Sequence, residues 1–181
     1  MFTDAQQRLL VAIARNAVVE AVTGRPGSAP VAEDPGTWPG ATGAFVTLKR
    51  HGRLRGCIGT LECRQSMAVE VARVAVSAAR EDPRFEAVRP AELGDLDVEV
   101  SVLGPLEEID PADPVAIEIG RHGLVVEQGP RRGLLLPQVA TEWGWDREEF
   151  LSQTCAKAGL VPDAWRRGAR VYRFAADVFG E

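Results

Sequence analysis

The period of apolar and polar positions changes several times along the 181 residues, and each change predicts an element. Leu10, Ile13, Ala14, Ala17, Val18 and Ala21 recur at helical spacing. They follow Thr3-Asp4-Ala5-Gln6, a capping-box pattern in which the Thr and Gln side chains satisfy backbone groups at a helix start. The prediction is a helix over 4–23, ended by Gly24. Arg25 to Gly43 is rich in proline and glycine and predicts a long loop, pinned to the surface by Trp38. Ala44 to Lys49 predicts a strand, His51-Gly52 a two-residue hairpin turn, and Leu54 to Thr60 the return strand. That register sets Val46 across from Cys57 and Leu48 across from Arg55. Ser66 caps a second helix, whose Ala68, Val71, Ala72, Ala75, Ala78 and Ala79 form a narrow face of small residues. The helix ends near Glu81-Asp82-Pro83. Residues 86–95 read as irregular, with a short turn at Pro90-Ala91-Glu92-Leu93. Leu96, Val98, Val100 and Val102 alternate with Asp97, Glu99 and Ser101, a strand with one wet face.

The second half follows a similar plan. Short strands are expected at Ala116 to Ile119 and Leu124 to Glu127, then a turn over Gln128 to Gly133 and a return strand at Leu134 to Gln138. Asp146 caps a helix that runs through Phe150, Leu151, Thr154, Cys155 and Ala158 to Gly159. Pro162 to Trp165 starts a short helix, and Val171 to Phe179 is the closing strand. Both halves, 43–104 and 115–180, read strand, turn, strand, helix, turn, strand. The expectation is an internally duplicated α+β fold with antiparallel hairpins and helices on one side, in a single domain over 1–181. The overlay sets Cys57 near Pro137-Gln138.

Composition narrows the function. The chain is 45% hydrophobic and 26% charged, ordinary for a globular protein. A net charge of −5 argues against a nucleic-acid binder. Arg131, Arg132, Arg166 and Arg167 are the one local basic cluster that favours it. No apolar run approaches the ~20 residues of a membrane helix. The first residues have neither the basic start nor the apolar core of a signal peptide, so a cytoplasmic location and free thiols are expected. Three cysteines without zinc-finger spacing and two histidines point to no metal site. Nothing in the residues names a cofactor.

The candidate chemistry centres on Leu54-Arg55-Gly56-Cys57-Ile58-Gly59-Thr60. Strand alternation places Arg55 and Cys57 on one face and Leu54 and Ile58 on the other. A cation beside a thiol lowers its pKa, while free cysteine is also among the most buried residues. Gly56 and Gly59 clear side chains from around the thiol, as where a ligand approaches the backbone. Gly56 to Gly59 lacks the lysine and spacing of a phosphate loop. His122, between Gly120 and Gly123, is either a general base or a turn residue. His122 or Glu99 would be the proton acceptor of a cysteine enzyme. Arg84, in Asp82-Pro83-Arg84-Phe85, either lies in a cleft or ties down the loop after the helix. His51 reads as a solvated hairpin tip, Cys63 as exposed and Cys155 as core. Trp143-Gly144-Trp145 reads as core and staple packing. Gln138 joins Arg55, His122 and Glu99 as a candidate lining residue.

The same heptapeptide, Leu54 to Thr60, is the signature of the AMMECR-type domain family. Further segments match that family in order. They are Gly43-Ala44-Phe45-Val46-Thr47-Leu48, Asp82-Pro83-Arg84-Phe85, Val98-Glu99-Val100-Ser101-Val102-Leu103, Gly120-Arg121-His122-Gly123-Leu124, Leu135-Leu136-Pro137-Gln138-Val139-Ala140, Gly144-Trp145-Asp146 and Val171-Tyr172-Arg173-Phe174. The chain resembles the family over nearly its whole length, and within it the prokaryotic stand-alone members of the AmmeMemoRadiSam system. The resemblance implies an α+β domain with an internal duplication and a barrel-like sheet. It implies a partnership with a Memo-like protein and a radical SAM protein, in a modification or redox pathway. It marks the Arg55–Gly59 surface as a site without saying whether that site catalyses or binds. Two readings therefore stand: a cysteine enzyme or enzyme subunit, and a non-catalytic protein- or ligand-binding adaptor.

Overall fold

The computed structural model describes residues 2–27 and 40–181. Trp38 and most of the Pro-rich loop lie outside the described residues. The described chain falls into two compact units, residues 1–103 with 177–181, and residues 104–176.

In the first unit, helix α1 (Asp4–Thr23) starts on the expected capping box and ends at Gly24 in the left-handed region. Strands β1 (Gly43–Arg50) and β2 (Arg53–Thr60) form the predicted hairpin. His51 and Gly52 both take positive φ, 51° and 74°, as a tight primed turn requires. Helix α2 (Met67–Arg80) is capped by Ser66, and a 3-10 turn (Pro90–Asp95) precedes β3 (Leu96–Leu103). β1 pairs antiparallel with β2 on one side and β3 on the other. Val46, Leu48, Val98, Val100 and Val102 point to one face of this sheet and join Leu10, Val71 and Val74 in a single core. The buried face of α2 is broader than the alanine stripe, since it takes in Met67, Val71 and Val74 and leaves Ala68 and Ala72 half-buried. It also buries Glu70. The Glu70 carboxylate accepts the Arg64 N–H and pairs with Arg73 at 2.8 Å, which overcomes the burial that opposes its ionisation. Ser101 is fully buried, so the second face of β3 is wet only at its start. Cys63 is half-buried and packs against the core rather than standing exposed.

The hairpin register differs from the expected one. Lys49 pairs with Leu54, but Leu48 pairs with Gly56, and Arg55 is the extra residue of a β-bulge. Cys57 therefore faces Thr47 and not Val46. One inserted residue reverses the facing of what precedes it. Leu54 comes onto the face of Cys57 and is 42% exposed, where simple alternation would have buried it. The bulge forms at Gly56, whose missing side chain lets β2 lie against α2. A Cβ there would sit 2.2 Å from the Ala78 carbonyl oxygen.

In the second unit, β4 (Glu107–Ile109) pairs with the start of β7 (Arg170–Gly180), and β7 pairs with β5 (His122–Gln128). β6 (Arg131–Leu135) pairs with the other side of β5. The strand expected at 116–119 is instead a turn. The side chains of Asp110 and Asp113 accept the N–H groups of Ala112 and Val115, which curls the chain and buries Ala116 and Ile117. The return strand stops at Leu135, because Pro137 opens a helix not foreseen in the sequence, α3 (Pro137–Trp143). Proline is well placed at a first helical turn, where its missing N–H has no partner to lose. Helix α4 (Arg147–Lys157) has Asp146 as its cap, and a 3-10 turn (Ala164–Arg166) follows. Phe150, Leu151, Cys155 and Val171 centre this unit's core. Trp143 does not join it and is 71% exposed.

The fold class is α+β, with antiparallel pairing throughout the described registers. Each unit has a hairpin, a helix and a strand that returns beside the first hairpin strand. This shared order does not establish a duplication. The proposed equivalents are unlike, since Cys57 lies in a strand and Gln138 in a helix.

Candidate functional site

The register sorts the first unit's sheet into two faces. The face away from α1 and α2 carries Leu54 and Cys57 of β2, Thr47 and Lys49 of β1, and Glu99 of β3. Thr47 is the cross-strand neighbour of both Cys57 and Glu99. Its hydroxyl donates to the Cys57 sulfur, Oγ1 to Sγ 3.3 Å. Lys49 donates to Glu99 at 3.1 Å, so a half-buried ion pair stands beside this row.

Cys57 is held at its backbone as well. The Asp82 carboxylate accepts the Cys57 N–H at 2.9 Å, and Arg84 Nη2 donates to the Cys57 carbonyl at 3.3 Å. Asp82 and Arg84 are themselves joined through two side-chain bonds, 2.9 and 2.7 Å. β2 pairs on one side only, with β1, in the described registers. The Asp82–Arg84 pair thus takes the place of a neighbouring strand at Cys57, satisfying one donor and one acceptor. The Arg84 guanidinium, opposed by burial, holds the Asp82 carboxyl down at about 2.

Burial pushes the Cys57 thiol above its ordinary value. The Thr47 hydrogen bond and the Arg84 charge pull it down, while the charges of Asp82 and Glu99 push it further up. The net direction is upward, so at neutral pH this is a thiol and not a thiolate.

Arg55 is not the cation at the thiol. Its guanidinium turns to Glu92, with Nε to Oε1 at 2.8 Å, and also donates to the Glu86 carbonyl at 2.8 Å. Glu92 also accepts the Arg89 N–H, and these partners hold its carboxyl at about 2. The arginine of the signature thus fixes the bulge to the 3-10 turn, while Arg84 serves Cys57. A Cβ on Gly59 would meet the Phe45 ring at 2.2 Å, so that glycine is filled by an aromatic side chain from β1.

His122 and Gln138 belong to the second unit. His122 Nδ1 accepts the Glu118 N–H at 3.0 Å, which leaves Nε2 to carry the proton. Burial, with the charges of Arg173 and Arg121, lowers its pKa. Gln138 Oε1 is buried without a hydrogen-bond partner among the described residues. Each arginine of the expected basic cluster has a partner. Arg131 donates to the Gly159 carbonyl, and Arg132, Arg166 and Arg167 pair with Glu127, Glu148 and Asp163. Among the described residues, no group of three His, Cys, Asp or Glu side chains is placed to hold a metal ion. No described helix is long and apolar enough to cross a membrane.

Sequence reasoning passed over Thr47, Lys49 and Asp82. Thr47 stands among apolar strand residues, and its face depends on the bulge. The Asp82-Pro83-Arg84 spacing was the one available signal, because a carboxylate and a guanidinium two residues apart can pair across a turn.

The fold and this arrangement define an α+β protein with a cysteine fixed on the edge strand of a helix-backed sheet. The AMMECR1 family model matches residues 11–179, and the chain belongs to that family. A protein of Methanothermobacter thermautotrophicus is 51% identical over 179 residues, covering 96% of this chain and 93% of the relative. Protein TK0174 of Thermococcus kodakarensis is 46% identical, covering 98% of this chain and 91% of its own length. The crystal structure of uncharacterised protein PH0010 from Pyrococcus horikoshii superposes with a TM-score of 0.90 at 43% identity, covering 99% of this chain and 93% of that one.

Proposed function

We propose that the chain is a binding member of the AMMECR1 family whose ligand site is the outer face of β2 around Cys57. The observation that carries this reading is the threefold hold on Cys57. Asp82 takes its N–H, Arg84 its carbonyl, and Thr47 donates to its sulfur. Such a hold, two bonds to the backbone and one to the sulfur, fixes this part of the strand in one place, which is the preorganisation that recognition favours. It does not activate a nucleophile, since burial raises the thiol pKa. Leu54 supplies exposed apolar surface on the same face, and Lys49 with Glu99 supplies charge of both signs. On the family resemblance, the partners are a Memo-like protein and a radical SAM protein of one modification or redox pathway.

Tagged full-length chain expressed in its native organism tests this. Wild type should co-purify with one of those two proteins, and Leu54→Asp should lose it. Cys57→Ser should retain it, because the thiol packs and does no chemistry. Recovery of neither protein, or equal recovery with Leu54→Asp, would overturn the reading.

A catalytic thiol is the second reading, favoured by Glu99 on the neighbouring row. Its carboxylate lies close enough to Cys57 to act on its titration and is a candidate proton acceptor. That reading requires a rearrangement that exposes the thiol, or a cation brought beside it, to offset the burial that now keeps it protonated.

A further inference from the structure

The Trp143–Trp145 pair of the second unit has no role in the site described above. The two indoles stack with centroids 6.0 Å apart and planes 16° apart. Trp145 is half-buried and packs against the unit's core. Its backbone N–H donates to the Ala140 carbonyl at 2.9 Å, and Gly144 between the two residues closes α3 in the left-handed region. The inner residue is therefore anchored, its backbone by this bond and its indole by core packing. The outer one, Trp143, is 71% exposed, so its second face is open to solvent.

The same unit shows twice what it does with an open aromatic face. Arg166 lies 4.4 Å over the Trp165 ring and bonds to Glu148 at 2.6 Å. Arg170 lies 5.7 Å over Tyr172 and bonds to Glu127 at 2.7 Å. In both, a guanidinium covers the ring and a carboxylate tethers the guanidinium. Trp143 has the ring without the cation among the described residues. A carboxylate is near in the chain: Glu142, the preceding residue of α3, is exposed, so a guanidinium that bridges the two would have to span neighbouring faces of the helix end. The one cation in residues 141–149, Arg147, is turned to the Pro111 carbonyl, while Glu142, Asp146, Glu148 and Glu149 make the stretch acidic.

We propose that the stacked indoles of Trp143 and Trp145, with the Glu142 carboxylate, receive an arginine side chain from an exposed segment of a partner polypeptide. The guanidinium would stack on the open face of Trp143 while Glu142 accepts its N–H groups. The attraction combines the ring quadrupole with a charge pair, so both parts should be separable by mutation.

The test uses the full chain and the indole N–H resonances of Trp143 and Trp145. The probe is a capped Gly-Arg-Gly peptide, with Gly-Glu-Gly and adenosine for comparison. The arginine peptide should shift both resonances at millimolar concentration. Glu142→Gln should weaken that binding roughly two- to five-fold, the size of an exposed charge pair. Trp143→Ala should abolish the shift at Trp145, with circular dichroism unchanged. No shift with the arginine peptide would overturn the proposal. An equal response to Gly-Glu-Gly or adenosine would do so too, marking an unselective stacking surface. An unchanged affinity in Glu142→Gln would also overturn it.

Discussion

The Asp82 carboxylate accepts the Cys57 N–H at 2.9 Å and so closes the open edge of β2 at the centre of the family signature. Asp82 is 4% exposed, and its remaining lone pairs are taken by Arg84. Asp82→Ala should therefore leave a strand-edge donor and a guanidinium without their acceptor. Arg84 is half-exposed and can turn to water, which limits the loss to about 1–3 kcal/mol of unfolding free energy. Urea denaturation checks this.

The same carboxylate sets a pH dependence. Its folded pKa of about 2 lies below the ordinary 3.8, and that of Glu92, also about 2, lies below 4.5. A lowered folded pKa contributes stability that is fully present above the unfolded value and is lost as pH falls through the folded one. Stability should thus decline from about pH 4.5 down to about 2. Asp82→Asn should start less stable and fall less steeply over that window. An unchanged slope in a urea series at successive pH values would contradict the assignment.

Arg84, and not Arg55, should tune the thiol. Arg84→Gln removes a charge that pulls the Cys57 pKa down, and Thr47→Val removes the hydroxyl that donates to its sulfur. Both should move the Cys57 alkylation midpoint further up. Arg55→Gln should leave the midpoint in place but cost about 1–3 kcal/mol, since the buried Glu92 loses its main partner and keeps the Arg89 N–H and the more distant Arg50.

Gly56→Ala should cost about 1–3 kcal/mol, because its Cβ would meet the Ala78 carbonyl at 2.2 Å and push α2 from the sheet. Gly52→Ala at the hairpin tip has open space and should lose only about 1 kcal/mol, from its positive φ. Thermal denaturation of the two variants separates crowding from backbone strain.

Much of the fold was legible because it is written in local periods. The capping box of α1, the His51-Gly52 turn, the Ser66 and Asp146 caps and the alternation of β3 each need only a few neighbouring residues. The missed features depend on residues distant in sequence or on competition between similar signals. The bulge at Arg55 follows from the close approach of Gly56 to Ala78, twenty-two positions on by residue number. Once it shifts the register, the faces assigned to Leu54 and Arg55 change with it. Pro137 could end a strand or begin a helix, and its neighbours did not decide between them. The site was legible as a stretch and not as a constellation. Cys57 and Arg84 were singled out, but Asp82, which bonds to both, was not, and the pairing of Thr47 with Cys57 exists only in the bulged register.

The pH dependence of Cys57 alkylation, followed by peptide mass spectrometry, tests the central claim most directly. A packed, protonated thiol predicts slow reaction at neutral pH and a midpoint above the ordinary 9.0 of a free thiol. A midpoint below about 7.5, in the range of activated cysteines, would contradict the binding reading and show that the signature strand carries a nucleophile.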